Sequence, residues 1–398
     1  MTETDRIFDS GKGTEKRPRY FNESSFDYYN LSARPGFVAL RDLIERWYTD
    51  FPNDGKKDIR SRLRSNRETD FLSAFFELYL CQICRGSGFD VTIYPGMKQH
   101  ERRRHPDFLV LRDGEPAFYL EGTLAQEPQQ VTAAKRRLGQ LEDAINRLHS
   151  PDFWLWLEVR GTATANIPVA KFAKRLQNWI NSLDADRVTG DVKARGEAGF
   201  PTFPAEYGHL TFTITARPKA PDYRGTPNLR PLGAVLPDVL FECDAHDDIR
   251  LAVIRKAKRY GDLNLPYIVA INVINEFLDF DDILDGLFGR RTVEVRRGME
   301  GAIHRRLVRA ANGAWTAGTR PSNSIVSAAL IANNLIPTTV GVETPLLMHN
   351  PWARSPFPTS FWRLPQRSVD NENGTILSHA GTQAREIIGI PEGWLNLE

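Results

Sequence analysis

Cysteine is scarce in this 398-residue chain: Cys81, Cys84 and Cys243 are its three copies, too few and too odd a number for a disulfide framework. That usage suits a reducing compartment, so the expected location is the cytoplasm. Long apolar runs are missing as well. FLSAFFELYL and PYIVAINV fall far short of the roughly 20 residues a membrane-spanning helix needs, and the opening MTETDRIFDSGKGTEK holds no apolar signal core. No membrane partner is expected. Nor is one sign of charge in excess: 52 Lys and Arg against 50 Asp and Glu leave +2, and a pI near 8.4 lies below the values of dedicated nucleic-acid binders. Internal repeats, low-complexity linkers, a Walker phosphate loop and a nucleophile elbow for a Ser/His/Asp triad are absent too.

What is present is a globular composition, 41% hydrophobic and 26% charged, which excludes disordered, collagen-like and coiled-coil classes. Residues 1 to 35 are polar and aperiodic. From Pro35, Phe37, Leu40, Leu43, Ile44 and Trp47 recur at helical spacing, and a short basic helix, DIRSRLRS, follows. Asn66 is placed to cap a long helix, RETDFLSAFFELYLCQICRG, with Gly86 and Gly88 as its stop. The period then changes to two. FDVTIYP, HPDFLVLR and PAFYLEGT read as three strands, the last two joined at Asp113 and Gly114. An amphipathic helix, VTAAKRRLGQLEDAINRLHS, and an alternating strand, DFWLWLEVRG, come next. Further on, a helix at DDIRLAVIRKAKRYG leads to PYIVAINV, which has the unbroken apolar look of a central strand. The Gly and Pro content near 186–208 and 220–238 predicts loops.

Three acids stand where acids are expensive. If the hairpin turns through Asp113, Gly114 and Glu115, Arg112 pairs with Pro116 and Asp107 faces Glu121, with Cβ atoms about 5 Å apart. A two-residue turn shifts that register and separates the pair. Opposed carboxylates destabilise a sheet unless a divalent cation bridges them. Glu77 lies among apolar neighbours on the long helix, where an ionised carboxylate needs compensation or an exit to solvent. Other groups read as structural. Asp238 and Glu242 in PDVLFECD sit on one segment with no turn between them. Cys81 and Cys84 fall late in a helix, not at the N-terminus where redox pairs lie.

Glu77 on a helix, then HPDF, then YLEGT, in the order helix, three strands, helix, strand, resembles the PD-(D/E)XK nuclease superfamily, the restriction-endonuclease-like fold. The resemblance covers about 66–160, with 247–273 as an extension of the sheet. It implies an α/β fold with a mixed central sheet, further helices and strands coming from the C-terminal half. It implies Glu77, Asp107 and Glu121 as ligands of Mg²⁺ or Mn²⁺, with the Gly122 carbonyl as a fourth. The Lys that the superfamily carries two residues after the strand Glu is Thr123 here. Gln126, Gln130 or Lys135 would then supply the donor. The implied activity is metal-dependent hydrolysis of phosphodiester bonds, DNA favoured, with Arg102, Arg103 and Arg104 where a phosphate backbone would approach. The alternatives are a catalytically silent nuclease fold that binds nucleic acid or a protein, favoured by Thr123, and an unrelated α/β protein. A homodimer is compatible with each. The expected organisation is a polar arm at 1–35, a nuclease-like core at 36–165, a helix and strand extension at 166–280 and an α/β accessory region at 281–398.

Overall fold

The computed structural model describes residues 6–11, 13–93, 105–125, 129–161, 166–227, 229–237, 245–274, 278–297, 303–317, 320–370 and 374–395. Arg102, Arg103, Arg104, Gln126, Asp238, Glu242 and Cys243 lie outside the described residues. The chain divides into two units. One comprises Met1–Gly13, Arg34–Gln126 and Cys243–Glu398, the other Thr14–Ala33 and Glu127–Glu242.

Helix α1 (Ser25–Leu31) belongs to the second unit; in the first, α2 (Pro35–Asp50), α3 (Asn53–Leu63) and α4 (Glu68–Gly86) precede strands β1 (Asp90–Ile93), β2 (Phe108–Arg112) and β3 (Glu115–Ala125). The sequence of the second unit then supplies α5 (Gln129–Asn146), β4 (Phe153–Arg160), α6 (Val169–Asn181), α7 (Ala185–Arg195), β5 (Thr202–Tyr207), β6 (Leu210–Pro218) and β7 (Leu232–Pro237). The first unit resumes with α8 (Ala245–Ala257), β8 (Tyr267–Val273), α9 (Phe280–Phe288), β9 (Arg291–Arg297) and β10 (Ile303–Arg309). It ends with the short pair β11 (Thr316–Ala317) and β12 (Arg320–Pro321), then β13 (Ala328–Asn333), β14 (Leu346–His349), β15 (Gln366–Val369), β16 (Ile376–His379) and α10 (Ala384–Ile387). Among the described residues no helix is long and apolar enough to cross a membrane.

In the first unit an eight-stranded mixed sheet runs β1-β2-β3-β8-β13-β14-β15-β16. β8 pairs in parallel with both β3 and β13, and all seven of its residues are buried. An unbroken Tyr-Ile-Val-Ala-Ile-Asn-Val run is what a strand covered on both faces requires. α4 is apolar on nearly every side because it too is enclosed, from Phe71 through Cys84. It stops at Gly86, where a Cβ would stand 2.1 Å from the Ile387 carbonyl oxygen, and Gly88 follows at φ 86. Alternation along β3 puts α4 and α8 on opposite faces. Tyr119 and Ala125 join the apolar cluster of α8, β8 and α9, whereas a Cβ at Gly122 would meet Leu80 and Phe76 of α4.

The second unit has its own four-stranded sheet, β5-β6-β4-β7, with β4 antiparallel to β6 and parallel to β7. Its inward rows, Leu155, Leu157 and Val159 of β4 with Phe212 and Ile214 of β6, pack with Phe172, Leu176 and Ile180 of α6. α6 carries those three on one stripe at spacings of four.

Three expectations change. The amphipathic helix and the strand DFWLWLEVRG form as read, but as α5 and β4 of the second unit; β3 takes β8 as its neighbour instead. β8 is buried along its whole length, as a strand covered on both faces is, whereas β4 alternates. The stretches read as loops contain α7, β5 and β7. α7 forms despite Gly190 because Asp184 caps it, its side chain accepting from Arg187 N at 2.8 Å, and Gly196 ends it at φ 63. The cap of α4 is Arg67, not Asn66, and its side chain makes no capping bond; Arg67 and Ser65 instead bond Asp70 in the first turn.

Candidate active site

The hairpin that carries the acids turns through two residues, not three: Arg112 pairs with Glu115, and Asp113 and Gly114 take φ 53 and 84. Both central residues in the left-handed region define a type I′ turn, which matches strand twist. Alone, that turn would set Asp107 opposite Leu120. A bulge between Val110 and Leu111 absorbs Ala117, so Val110 pairs with Phe118 and Phe108 with Leu120. The register one step further therefore returns Glu121 to Asp107. The Asp107 N–H donates to Glu121 Oε2 at 3.1 Å, and the Gly122 N–H donates to Asp107 Oδ2 at 2.8 Å. Past the end of β2, the Asp107 carboxylate takes the ladder bond that a backbone carbonyl would make. A side chain at position 122 would press on Leu80 at 3.2 Å and stand 3.7 Å from Asp107 Oδ2, so glycine keeps the approach open.

Glu121 is fully buried on the face covered by α8. An isolated ionised carboxylate there would be prohibitive. Four donors compensate it. Lys256 Nζ and Arg259 Nη1 reach Oε1 at 2.5 and 3.0 Å. Oε2 accepts from Asp107 N and lies 2.7 Å from the Tyr260 hydroxyl, which is also 2.8 Å from the His105 carbonyl and has one proton to give. Burial first, then the Glu121 charge, raises the Tyr260 phenol above its ordinary range, so it stays a neutral donor. Lys256 also approaches the Gly122 carbonyl at 3.3 Å. Beside Tyr260 opens a cleft of about 390 Å³ lined in part by Ala257, Asp262, Asn323, Ser324 and Arg354.

Glu77 enters from α4, and Arg62 of α3 clamps it with two parallel bonds, Nη1 to Oε1 and Nη2 to Oε2, both 2.7 Å. Asp58, one helical turn before Arg62, pairs with the same guanidinium. Burial pushes the Glu77 carboxyl up, and Arg62 pulls it back. Asp107 has less help. Burial raises its carboxyl well above the usual range, the charges of Glu77 and Glu121 add to that, and Lys256 and the Gly122 N–H oppose it.

Among the described residues no three His, Cys, Asp or Glu side chains form a cluster arranged for a metal ion. The physical reason lies in the pairings: Glu77 is committed to Arg62, and Glu121 to Lys256 and Arg259. A hard divalent cation still has donors of the right kind at one point. The Lys256 ammonium stands between Glu121 Oε1 and the Gly122 carbonyl, which marks where oxygen donors converge on positive charge, with Asp107 hydrogen-bonded to both residues. Glu121 Oε1 and the Gly122 carbonyl are oxygen donors of the kind such an ion takes; the Asp107 carboxylate, bonded to the Gly122 N–H, is a third donor close by, and Glu77 becomes one only after releasing Arg62.

The structure joins Asp107, Glu121 and Gly122 by hydrogen bonds, and the Glu77 charge on α4 acts on Asp107. Thr123 follows on the same face of β3 as Glu121. Lys135 belongs to α5 of the second unit; the ammonium bonded to Glu121 is that of Lys256 on α8. Sequence reasoning assigned no role to Arg62, Lys256, Arg259 or Tyr260. The available signal was IRKAKRYG, a basic cluster at the end of the helix that leads to β8, which points to Glu121 only once β3 is known to pair with β8. Cys81 and Cys84 are buried in α4 as read, and burial lifts the Cys81 thiol to about 11.

Comparisons with known proteins found no matching family model, no matching curated protein and no matching solved structure.

Proposed function

We propose that this protein is a metal-dependent nuclease that hydrolyses phosphodiester bonds, with DNA as the favoured substrate, on a restriction-endonuclease-like core. The order α4, β1, β2, β3, α8, β8 supports that core: helix, three strands, helix, strand, with the second unit occupying the sequence between β3 and α8. The observation that carries the reading is the meeting of Asp107, Glu121 and Lys256 around Gly122. Asp107, Glu121 and the Gly122 carbonyl are the residues that would hold Mg²⁺ or Mn²⁺. Such an ion lowers the pKa of a bound water and offsets charge that develops on the scissile phosphate.

Lys256 takes the part that Thr123 leaves vacant. It comes from α8 onto the face of β3 that Glu121 and Thr123 share, so the positive charge arrives across the sheet surface and not along the strand. Freed from Glu121, its ammonium donates to the attacking water or to a non-bridging phosphate oxygen. Tyr260 and the Asp107 N–H keep Glu121 oriented while Lys256 moves. Arg259 stays against Glu121 and limits the charge left uncompensated.

A second reading has its own support. Arg62, Lys256 and Arg259 already offset the three carboxylates, the arrangement expected of a catalytically silent fold that binds nucleic acid or a partner protein. Plasmid nicking separates the two. The nuclease reading expects strand scission in Mg²⁺ or Mn²⁺, none in EDTA and none with Asp107→Ala. Binding that is indifferent to EDTA, with no scission under any condition, favours the silent fold.

A further inference from the structure

After α9 the chain leaves the large sheet as a two-stranded ribbon. β9 and β10 pair antiparallel from Arg291↔Arg309 to Arg297↔Ile303 without a register break, and no other described strand hydrogen-bonds to them. From Arg290 to Arg309 the sequence holds seven arginines against two glutamates. The register sets the basic clusters of both strands side by side. Its alternation assigns Arg291, Val293, Val295, Arg297, Ile303, Arg305, Leu307 and Arg309 to positions on one face. Val293, Val295 and Leu307 there are 53%, 60% and 65% exposed. Large aliphatics left this open need a partner.

The root of the ribbon is firm. Arg309 bonds Asp285 at 2.7 Å and the Gly289 carbonyl at 2.6 Å, Arg291 bonds Asp281, and the Ala310 N–H donates to the Arg290 carbonyl at 2.8 Å. Gly289, at φ 94, leaves room for the Ala310 carbonyl, which a Cβ would meet at 1.9 Å. α9, which carries both aspartates, starts in a capping box between Asp279 and Asp282.

We propose that the β9–β10 ribbon docks in the major groove of duplex DNA. A two-stranded ribbon is one of the elements that a groove about 12 Å wide admits, and seven residues per strand span about 24 Å of it. The interleaved composition matches the floor of that groove. Arginine donates two bonds to a guanine edge, and aliphatic side chains contact thymine methyl groups. The surplus positive charge meets phosphates on both walls. A second copy of the ribbon is disfavoured, because edge pairing would bring arginine rows together. The inference rests on the proposed function only for the class of polymer, so grip and cutting fail separately.

The test uses the full chain in EDTA, where no strand is cut, and follows a fluorescent duplex by anisotropy across a salt series. The comparison is wild type against the quadruple variant R296Q/R297Q/R305Q/R306Q, which leaves the root pairs intact; thermal melting checks its fold. The expected result is binding about tenfold weaker or more, with a log–log salt slope shallower by about 3 to 4, near 0.9 per lost phosphate contact. A duplex whose cytosines carry bulky glucosyl groups in the major groove is expected to bind wild type about tenfold more weakly. The proposal is overturned if wild type binds no duplex, or if the folded variant keeps wild-type affinity and slope. It is overturned equally if the glucosylated duplex binds as well as the plain one, or if the substitutions change only self-association in sedimentation. Ribbon-dependent binding without any cleavage in Mg²⁺ sinks the nuclease reading alone; cleavage with ribbon-independent binding sinks this one alone.

Discussion

Two hairpins of the first unit use the same antiparallel pairing to opposite ends. β2–β3 is buried, carries a bulge and gathers carboxylates; β9–β10 is exposed, keeps an unbroken register and gathers arginines. Burial makes the charges of Asp107 and Glu121 costly, so both have assigned partners and one, Asp107, is held far from its ordinary titration range. Exposure makes the charges of the second inexpensive, screened and collectively long-ranged. Strand pairing therefore does not decide chemistry here. What decides it is whether the polar side chains must be satisfied by protein or by solvent.

Breaking a buried partner should hurt far more than breaking an exposed one. Glu121→Ala leaves Lys256 and Arg259 without the buried carboxylate they pair with and is expected to cost about 3 to 5 kcal/mol of unfolding free energy. Arg306→Ala on the ribbon should stay within about 0.5 kcal/mol. Urea unfolding of both variants measures the contrast, and equal losses would erase it. Arg62→Ala comes next, at about 2 to 3 kcal/mol, because it leaves Glu77 buried without its fork while removing a partly exposed side chain.

Asp107→Asn should move stability the other way. The folded pKa of Asp107 lies above its unfolded value, near 3.9 for a free aspartate. Between those two values the folded state binds more protons than the unfolded one, so stability falls as pH rises through the window. Asparagine keeps an acceptor for the Gly122 N–H and removes the charge. In EDTA the variant is expected to melt higher than wild type at neutral pH and to lose that advantage below about pH 4. A lower melting temperature at neutral pH would mean that the three acids do not repel as described. A separate pH effect belongs to the second unit. There, burial and the neighbouring Asp143 lift Glu142 to about 7, so Glu142→Gln should flatten a shallow decline in stability between about pH 4.3 and 7. Melting curves across that interval show whether the decline exists.

Much of the first hairpin was legible because its signals are local. The long apolar helix, the Asp-Gly turn and the spacing from Asp107 to Glu121 all lie within one stretch of chain, and β8 was recognisable by its unbroken apolar run. The bulge was not, because Ala117 carries no mark that distinguishes it from any other strand residue. The pairing of β3 with β8 was not legible, because consecutive elements are usually neighbours and here a whole unit intervenes in sequence. Lys256 lies 135 residues beyond Glu121, so its role depends on a pairing between distant strands. β10 escaped because IHRRLVR is too charged to look like a strand until β9 lies beside it.

The most direct test is single-turnover cleavage of a labelled duplex in Mn²⁺ by wild type, Asp107→Asn, Lys256→Gln and Lys135→Ala, with binding measured in parallel. If Asp107, Glu121 and Lys256 form the hydrolytic site, all four proteins bind alike. Wild type and Lys135→Ala then cut at matching rates, and the other two fall by about a hundredfold or more. No cutting by wild type in any divalent ion, or undiminished cutting by Asp107→Asn, would contradict it.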